Sequence, residues 1–168
     1  NAVHLYSGDF IYSIFMINEN VGWAAGKRNK VSQSLKDFIF KTTNGGKIWK
    51  TQFLQGGSGV EPGVKCIYFI NDNLGWAVGE RVFFRTTDSG ENWITDYGIG
   101  GSSVFFIDQN TGWVTSDKDY TGIYKSTDGG ITWEQKSSIS SSSIFFINNN
   151  IGWAVGADGN ILKSTDGG

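Results

Sequence analysis

The chain has 168 residues, of which 39% are hydrophobic and 15% aromatic, and its formal net charge is -2. That is enough apolar material for a packed core, which excludes a disordered tail, and the balanced charge gives no global field that would draw nucleic acid. No apolar run approaches the ~20 residues of a helical membrane span, and the single cysteine, Cys66, allows no internal disulfide.

In chain order, the first predicted strand is the run Ile14-Phe15-Met16-Ile17, and the phrase N-x-G-W at Asn20 to Trp23 opens a second. A stretch rich in positive charge, Lys27 to Lys36, leads to a third strand and then to Thr42-Thr43-Asn44-Gly45-Gly46-Lys47-Ile48-Trp49, of the form S/T-x-D/N-x-G-x-x-W. The same order returns with Ile67 to Ile70, Asn73 to Trp76 and Thr86 to Trp93. It returns again with Val104 to Ile107, Asn110 to Trp113 and Ser126 to Trp133. A last copy has Ile144 to Ile147, Asn150 to Trp153, the mixed strand Gly159 to Ser164, and a box cut short at Gly168. The acid or amide of the box stands at positions 44, 88, 128 and 166, at intervals of 44, 40 and 38. A period of that length marks one small all-β unit repeated along the chain.

Apolar runs bounded by Asn, Asp and Gly predict first strands buried on both faces. The box is a tight turn, and its Trp opens a fourth strand. Each repeat is therefore four antiparallel strands with no helix. Such units pack radially as the blades of a β-propeller, which leaves only short edges. The repeats cover approximately residues 10–53, 64–97, 102–137 and 142–168 of one domain or segment spanning 1–168. In the middle repeats the box Trp stands eleven residues before the next apolar strand, and the same count back from Ile14 lands on Val3. Residues 3–7 (V-H-L-Y-S) are thus predicted to form the outer strand of a neighbouring or closing blade. That leaves an open edge beside Ile161 to Thr165, which is suited to self-association. Of the possible closures, an arc of a longer propeller or a ring completed by a second copy is favoured over a four-bladed ring. The first residue is Asn, which is read as processing or excision from a longer chain.

The phrases F-I-N-x-x-x-G-W-A-V-G and I-x-K-S-T-D-G-G-x-T-W resemble the Asp-box (BNR) repeats of the photosystem II stability and assembly factor-like propellers. The resemblance runs over nearly the whole chain, and it implies a propeller fold with an assembly or scaffold role. Similar boxes occur in sialidases, xyloglucanases and many secreted binding proteins. An extracellular or periplasmic location is therefore expected.

The box itself is read as structural. Asn44 replaces Asp88, Asp128 and Asp166 without a charge, so the position serves to accept backbone N–H bonds, with Gly in the left-handed conformation and Trp packed beneath. Asn18, Asn71 or Asp72, Asp108 and Asn148 are turn residues on the same grounds. Asp117, Asp119 and Asp128 have a spacing near that of a calcium loop. The fifth position is Thr121, however, and Asp128 belongs to the box, so a solvated hairpin is favoured and neither metal nor cofactor is expected. His4 is the one histidine and Arg28, Arg81 and Arg85 are the arginines. No Ser-His-Asp set and no sialidase-type arginine cluster can be assembled from them, so no catalytic residue is assigned.

Binding is expected on the face that carries the loops between second and third strands and the connections between blades, opposite the boxes. The interval from Trp23 to Trp76 is 53 residues, against 37 and 40 for the next two, and the excess falls in those loops. Lys27, Arg28, Lys30 and Lys36 form the expected partner patch, with Arg81 and Tyr120 on neighbouring loops. The competing reading is a solvated basic loop with no specific role. The expected function is a non-catalytic propeller that docks a protein or glycan. The alternative is the substrate-binding part of a larger secreted glycoside hydrolase, sialidase- or xyloglucanase-like.

Overall fold

The computed structural model describes residues 9–27, 38–53, 63–116, 121–156 and 159–168. They form four antiparallel sheets in which sequence order is spatial order. The first blade holds β1 (Phe10–Met16), β2 (Gly22–Lys27), β3 (Phe38–Thr42) and β4 (Lys50–Phe53). The second holds β5 (Val64–Phe69), β6 (Gly75–Gly79), β7 (Val82–Thr86) and β8 (Ile94–Asp96). The third holds β9 (Ser103–Phe106), β10 (Gly112–Ser116), β11 (Gly122–Ser126) and β12 (Glu134–Ser137). The last has three strands, β13 (Ser143–Phe146), β14 (Gly152–Val155) and β15 (Ile161–Ser164). No α-helix occurs among the described residues. The expected all-β propeller architecture is what the structure shows. Residues 3–7, for which a strand was expected, lie outside the described residues.

First strands pack on first strands: β1 on β5, β5 on β9 and β9 on β13. They therefore line the axis, and each blade runs outward from it. The sheets stack face to face, with one apolar layer at each junction. Trp23, Ala25 and Ile39 meet Ile67, Phe69 and Phe84 at the first. Trp76, Val78 and Phe83 meet Val104, Phe106 and Val114 at the second. Trp113 meets Ile144, Phe146 and Ala154 at the third, with Ile123 and Leu162 alongside.

The phrase N-x-G-W has a packing reason in two parts. A Cβ on Gly112 would meet the Phe106 ring at 2.5 Å, so glycine lets that phenyl group lie flat on the second strand. The flattened ring is then stacked by the Trp of the preceding blade, Trp76, at 3.6 Å with planes 2° apart. Trp23 on Phe69 and Trp113 on Phe146 repeat the stack. Asn18, Asn71, Asp108 and Asn148 behave as the expected turn residues. Each side-chain oxygen accepts the N–H groups two and three residues ahead, at 2.7–2.9 Å.

No residue of β5 or β9 is exposed, but burial on both faces fails at the ends of the arc. Ile14 and Met16 in β1, and Phe145 in β13, are exposed. The sequence runs are equivalent, but an end blade has a described neighbour on one side only. The sheets form an open arc in which the first and last blades do not cover each other.

Candidate functional site

The Asp-box is a knot of hydrogen bonds built on the side chains of its first and third residues. Ser126 Oγ–H donates to Asp128 Oδ1 at 2.8 Å and accepts the Gly130 N–H at 2.8 Å. Asp128 Oδ1 also accepts the N–H groups of Ile131 and Thr132, at 3.0 and 2.9 Å, while Oδ2 accepts the Thr132 hydroxyl at 2.6 Å. Thr86 and Asp88 repeat the pattern, and Thr42 with Asn44 repeats it without a charge. Hydrogen bonds to an ionised carboxylate favour its ionised form. The Thr132 hydroxyl and N–H hold Asp128 down at about 2, from the usual 3.8. The Asn92 N–H lowers Asp88, and the Gly168 N–H lowers Asp166. A carboxylate kept ionised and occupied in this way is poorly suited to proton transfer. Among the described residues no three His, Cys, Asp or Glu side chains gather as a metal site.

These shifts give a pH dependence of definite sign. A carboxyl group lowered in the folded state binds its proton more readily when unfolded, so its contribution is full above the usual value and disappears as pH falls through the folded one. Stability is expected to fall between about pH 4 and pH 2. Asp128→Asn should flatten that decline, because the amide retains the acceptor. Urea denaturation of both proteins across this range checks it. An equal slope in the two would remove Asp128 as the source.

The boxes also tie blades together, which the sequence did not reveal. Trp76 Nε1–H donates to the carbonyl of Gly129, in the box of the next blade, at 2.9 Å. Trp23 donates to Ser89 at 3.2 Å and Trp113 to Gly167 at 3.1 Å. Lysines on the third strands lie over the same indoles: Lys41 Nζ is 5.8 Å from the Trp23 ring and Lys125 Nζ is 5.3 Å from the Trp113 ring. The detectable signal was one basic residue opposite each second-strand Trp: Lys41, Arg85, Lys125 and Lys163 pair with Trp23, Trp76, Trp113 and Trp153.

On the opposite face, Lys27 ends β2 and its side chain lies alongside Gly63, just before β5. Arg81 occupies the equivalent turn of the next blade. It has a φ of 61° and is exposed, and its backbone is in close contact with Gly100. Next to it, Lys65 and Glu80 form an ion pair at 3.6 Å. Lys27 and Arg81 thus share one face on adjacent blades. Arg28, Lys30, Lys36 and Tyr120 fall outside the described residues.

Two further features went unread. Phe15, Tyr68, Phe105 and Phe145 form a row along the inner strands, with neighbouring ring centroids 5.1–5.2 Å apart. The signal was the aromatic second letter of each apolar run. Burial pushes the Tyr68 hydroxyl above its usual pKa. On the last blade a cavity of about 260 Å³ is lined by Trp113, Ile123, Phe146, Trp153 and Leu162 among others. Cys66 is partly buried, its thiol donates to the Val104 carbonyl at 3.9 Å, and burial raises its pKa, so it is no ready nucleophile.

No protein-family profile and no curated protein matches the sequence. Among solved structures, the chain is similar to YCF48 bound to D1 peptide, with a TM-score of 0.71 and 20% identity over 99% of this chain and 54% of that one. It is also similar to YCF48 from Cyanidioschyzon merolae, with a TM-score of 0.67 and 19% identity over 99% of this chain and 56% of that one. A GH74 enzyme of Niastella koreensis matches with a TM-score of 0.66 and 17% identity, over 91% of this chain and 28% of that one. The chain spans about half the length of the YCF48 structures. At these identities the shared property is the fold. The β-propeller expected from the Asp-box resemblance is the fold of all three.

Proposed function

We propose that the chain is a non-catalytic β-propeller module that docks an extended protein segment on the face opposite its Asp-boxes. Lys27 and Arg81 lie in the contact, and Arg28, Lys30, Lys36 and Tyr120 are its further members. The observation that carries this reading is the placement of Lys27 and Arg81 at the second-strand ends of adjacent blades, on one face. The similarity to a propeller captured with a peptide supports it. A positive patch favours acidic partners and accelerates encounter with them. A glycan is the second ligand class within the same reading. An extracellular or periplasmic setting belongs to the proposal through the resemblance to secreted Asp-box proteins, and self-association through the open blade edge belongs to it as well.

The second reading is the substrate-binding arc of a larger glycoside hydrolase, favoured by the GH74 match over 91% of this chain. The two separate in one experiment, in which the protein is screened against a library of acidic peptides and a glycan array. Under the leading reading acidic peptides bind, and Lys27→Glu with Arg81→Glu lowers affinity by about tenfold or more in low salt, with the effect shrinking as salt screens it. Unchanged peptide capture by the double variant removes the patch. Binding of β-glucans alone moves the assignment to the hydrolase reading.

A further inference from the structure

Among the described residues the same junction is built three times, and each half of it is present once more without a partner. The giving half is a second-strand Trp, the residue two places after it, and an apolar residue and a basic residue on the third strand. The receiving half is two first-strand residues and the carbonyl in the middle of an Asp-box. At the third junction Trp113 stacks on Phe146 at 3.7 Å, its Nε1–H donates to the Gly167 carbonyl at 3.1 Å, and Lys125 Nζ donates to the same oxygen at 3.0 Å.

The last blade carries a giving half. Lys163 Nζ already lies 5.7 Å from the centre of the Trp153 ring, the arrangement that Lys125 and Trp113 show. Val155 is 41% exposed, whereas Ala25, Val78 and Thr115 at its position are fully buried. Ile161 is 75% exposed, whereas Ile39 and Phe83 at its position are covered. The first blade carries a receiving half. Ile14 is 62% exposed against 2% for Ile67, and Met16 is 40% exposed against 1% for Phe69. Gly45 has the place of Gly167, and its φ of 68° matches the 68° of Ser89 at the first junction.

We propose that these halves meet between two copies of this chain, the last blade of each seated on the first blade of the other. Trp153 covers Met16, a thioether-on-indole contact that is favourable in its own right. Its Nε1–H donates to the Gly45 carbonyl, Lys163 braces the same oxygen, and Ile161 and Val155 cover Ile14. The occupant is specified by chemistry: a blade with a free first-strand face and an Asp-box carbonyl, which the chain's own first blade provides. The two faces do not meet within one chain, since the residues of both remain open to solvent. Two such junctions related by a two-fold axis join two arcs of four blades into a ring of eight, within the roughly four to eight blades typical of propellers. One junction residue departs from the pattern. Lys41 pairs with Glu91 at 3.6 Å across the first junction, and Lys47 stands at the position of Glu91 in the first blade. Lys163 therefore meets a like charge, which weakens this junction relative to the internal ones.

The proposal rests on the propeller reading and not on the loop face, so failure of peptide binding leaves it standing. Sedimentation equilibrium of the whole chain tests it. The expected result is a reversible dimer. Ile14→Glu and Ile161→Glu should each weaken association at least tenfold while leaving the circular dichroism unchanged, because both side chains are solvent-exposed. An equimolar mixture of the two variants should regain association, since the intact last blade of one meets the intact first blade of the other. Lys47→Glu should tighten the dimer several-fold. A wild-type chain that stays monomeric at every concentration overturns the proposal and assigns both faces to further Asp-box blades of another chain segment. A dimer indifferent to both Glu substitutions overturns it as well.

Discussion

Trp76→Ala is expected to lower the stability of the fold by about 3–5 kcal/mol, the range for truncating a fully buried large aromatic side chain. Trp76 is buried, stacks on Phe106 with centroids 3.6 Å apart, and donates to the Gly129 carbonyl at 2.9 Å. The substitution removes a stack, leaves a cavity between the second and third blades and orphans an acceptor. Each kcal/mol lowers Tm by about 2–4 °C in a chain of this length, so thermal and urea denaturation both read the effect. A pair of Phe variants separates packing from hydrogen bonding. Trp76→Phe loses the bond to Gly129. Trp133 Nε1 is buried with no hydrogen-bond partner among the described residues, so Trp133→Phe removes an unsatisfied donor and should cost less. Equal costs for the two Phe variants would show that the cross-blade bond contributes nothing.

Gly130→Ala is expected to cost about 2–5 kcal/mol, from two sources. Gly130 has a φ of 87°, in the left-handed region, and a Cβ there would meet Phe83 Cζ at 2.6 Å and Trp133 Cζ2 at 3.3 Å. Phe83 and Trp133 are themselves in edge contact at 5.1 Å, so neither ring is free to retreat. The preceding glycine provides the control. Gly129 has a φ of 78°, yet the equivalent position of the second blade is held by Ser89 with a φ of 68°. Gly129→Ser should therefore cost only about 1–2 kcal/mol, mainly left-handed strain, since its Cβ would meet only the Gln109 carbonyl oxygen at 3.0 Å. Denaturation of the two variants side by side decides the matter, and equal losses would show that backbone strain and not the Phe83 contact governs the turn.

The two glycines show how much of this molecule was legible in its letters. The sequence placed a turn at each box, because Thr or Ser, Asp or Asn, and Gly at fixed offsets are the residues whose own side chains and left-handed conformation satisfy a tight turn. It placed the strands as well, since the apolar runs and the N-x-G-W phrase recur at one period. It did not distinguish the second glycine, whose lack of a Cβ leaves room for a ring more than forty residues away, from the first, which merely turns the chain. The basic patch was legible as a run of charge at Lys27 to Lys36, and the repeat register already put Arg81 on the neighbouring loop; its φ of 61° and its close approach to Gly100 were not legible, because they depend on the connection to the next blade.

What the sequence determined by itself is therefore local and periodic: the strands, the Asx turns after each first strand, the Asp-box, and the repetition that requires blades. Tertiary structure alone decided which of the equivalent residues are buried. Ile14 and Ile67 stand at the same point of the same phrase, yet one is exposed and the other covered. Tertiary structure also decided that Trp76 binds a carbonyl 53 positions ahead. The physical reason is that turn chemistry is satisfied within four or five residues of one chain segment. Burial and the cross-blade bonds depend on a neighbouring sheet one full repeat away, and its presence on one side or both is not written in the phrase that it covers.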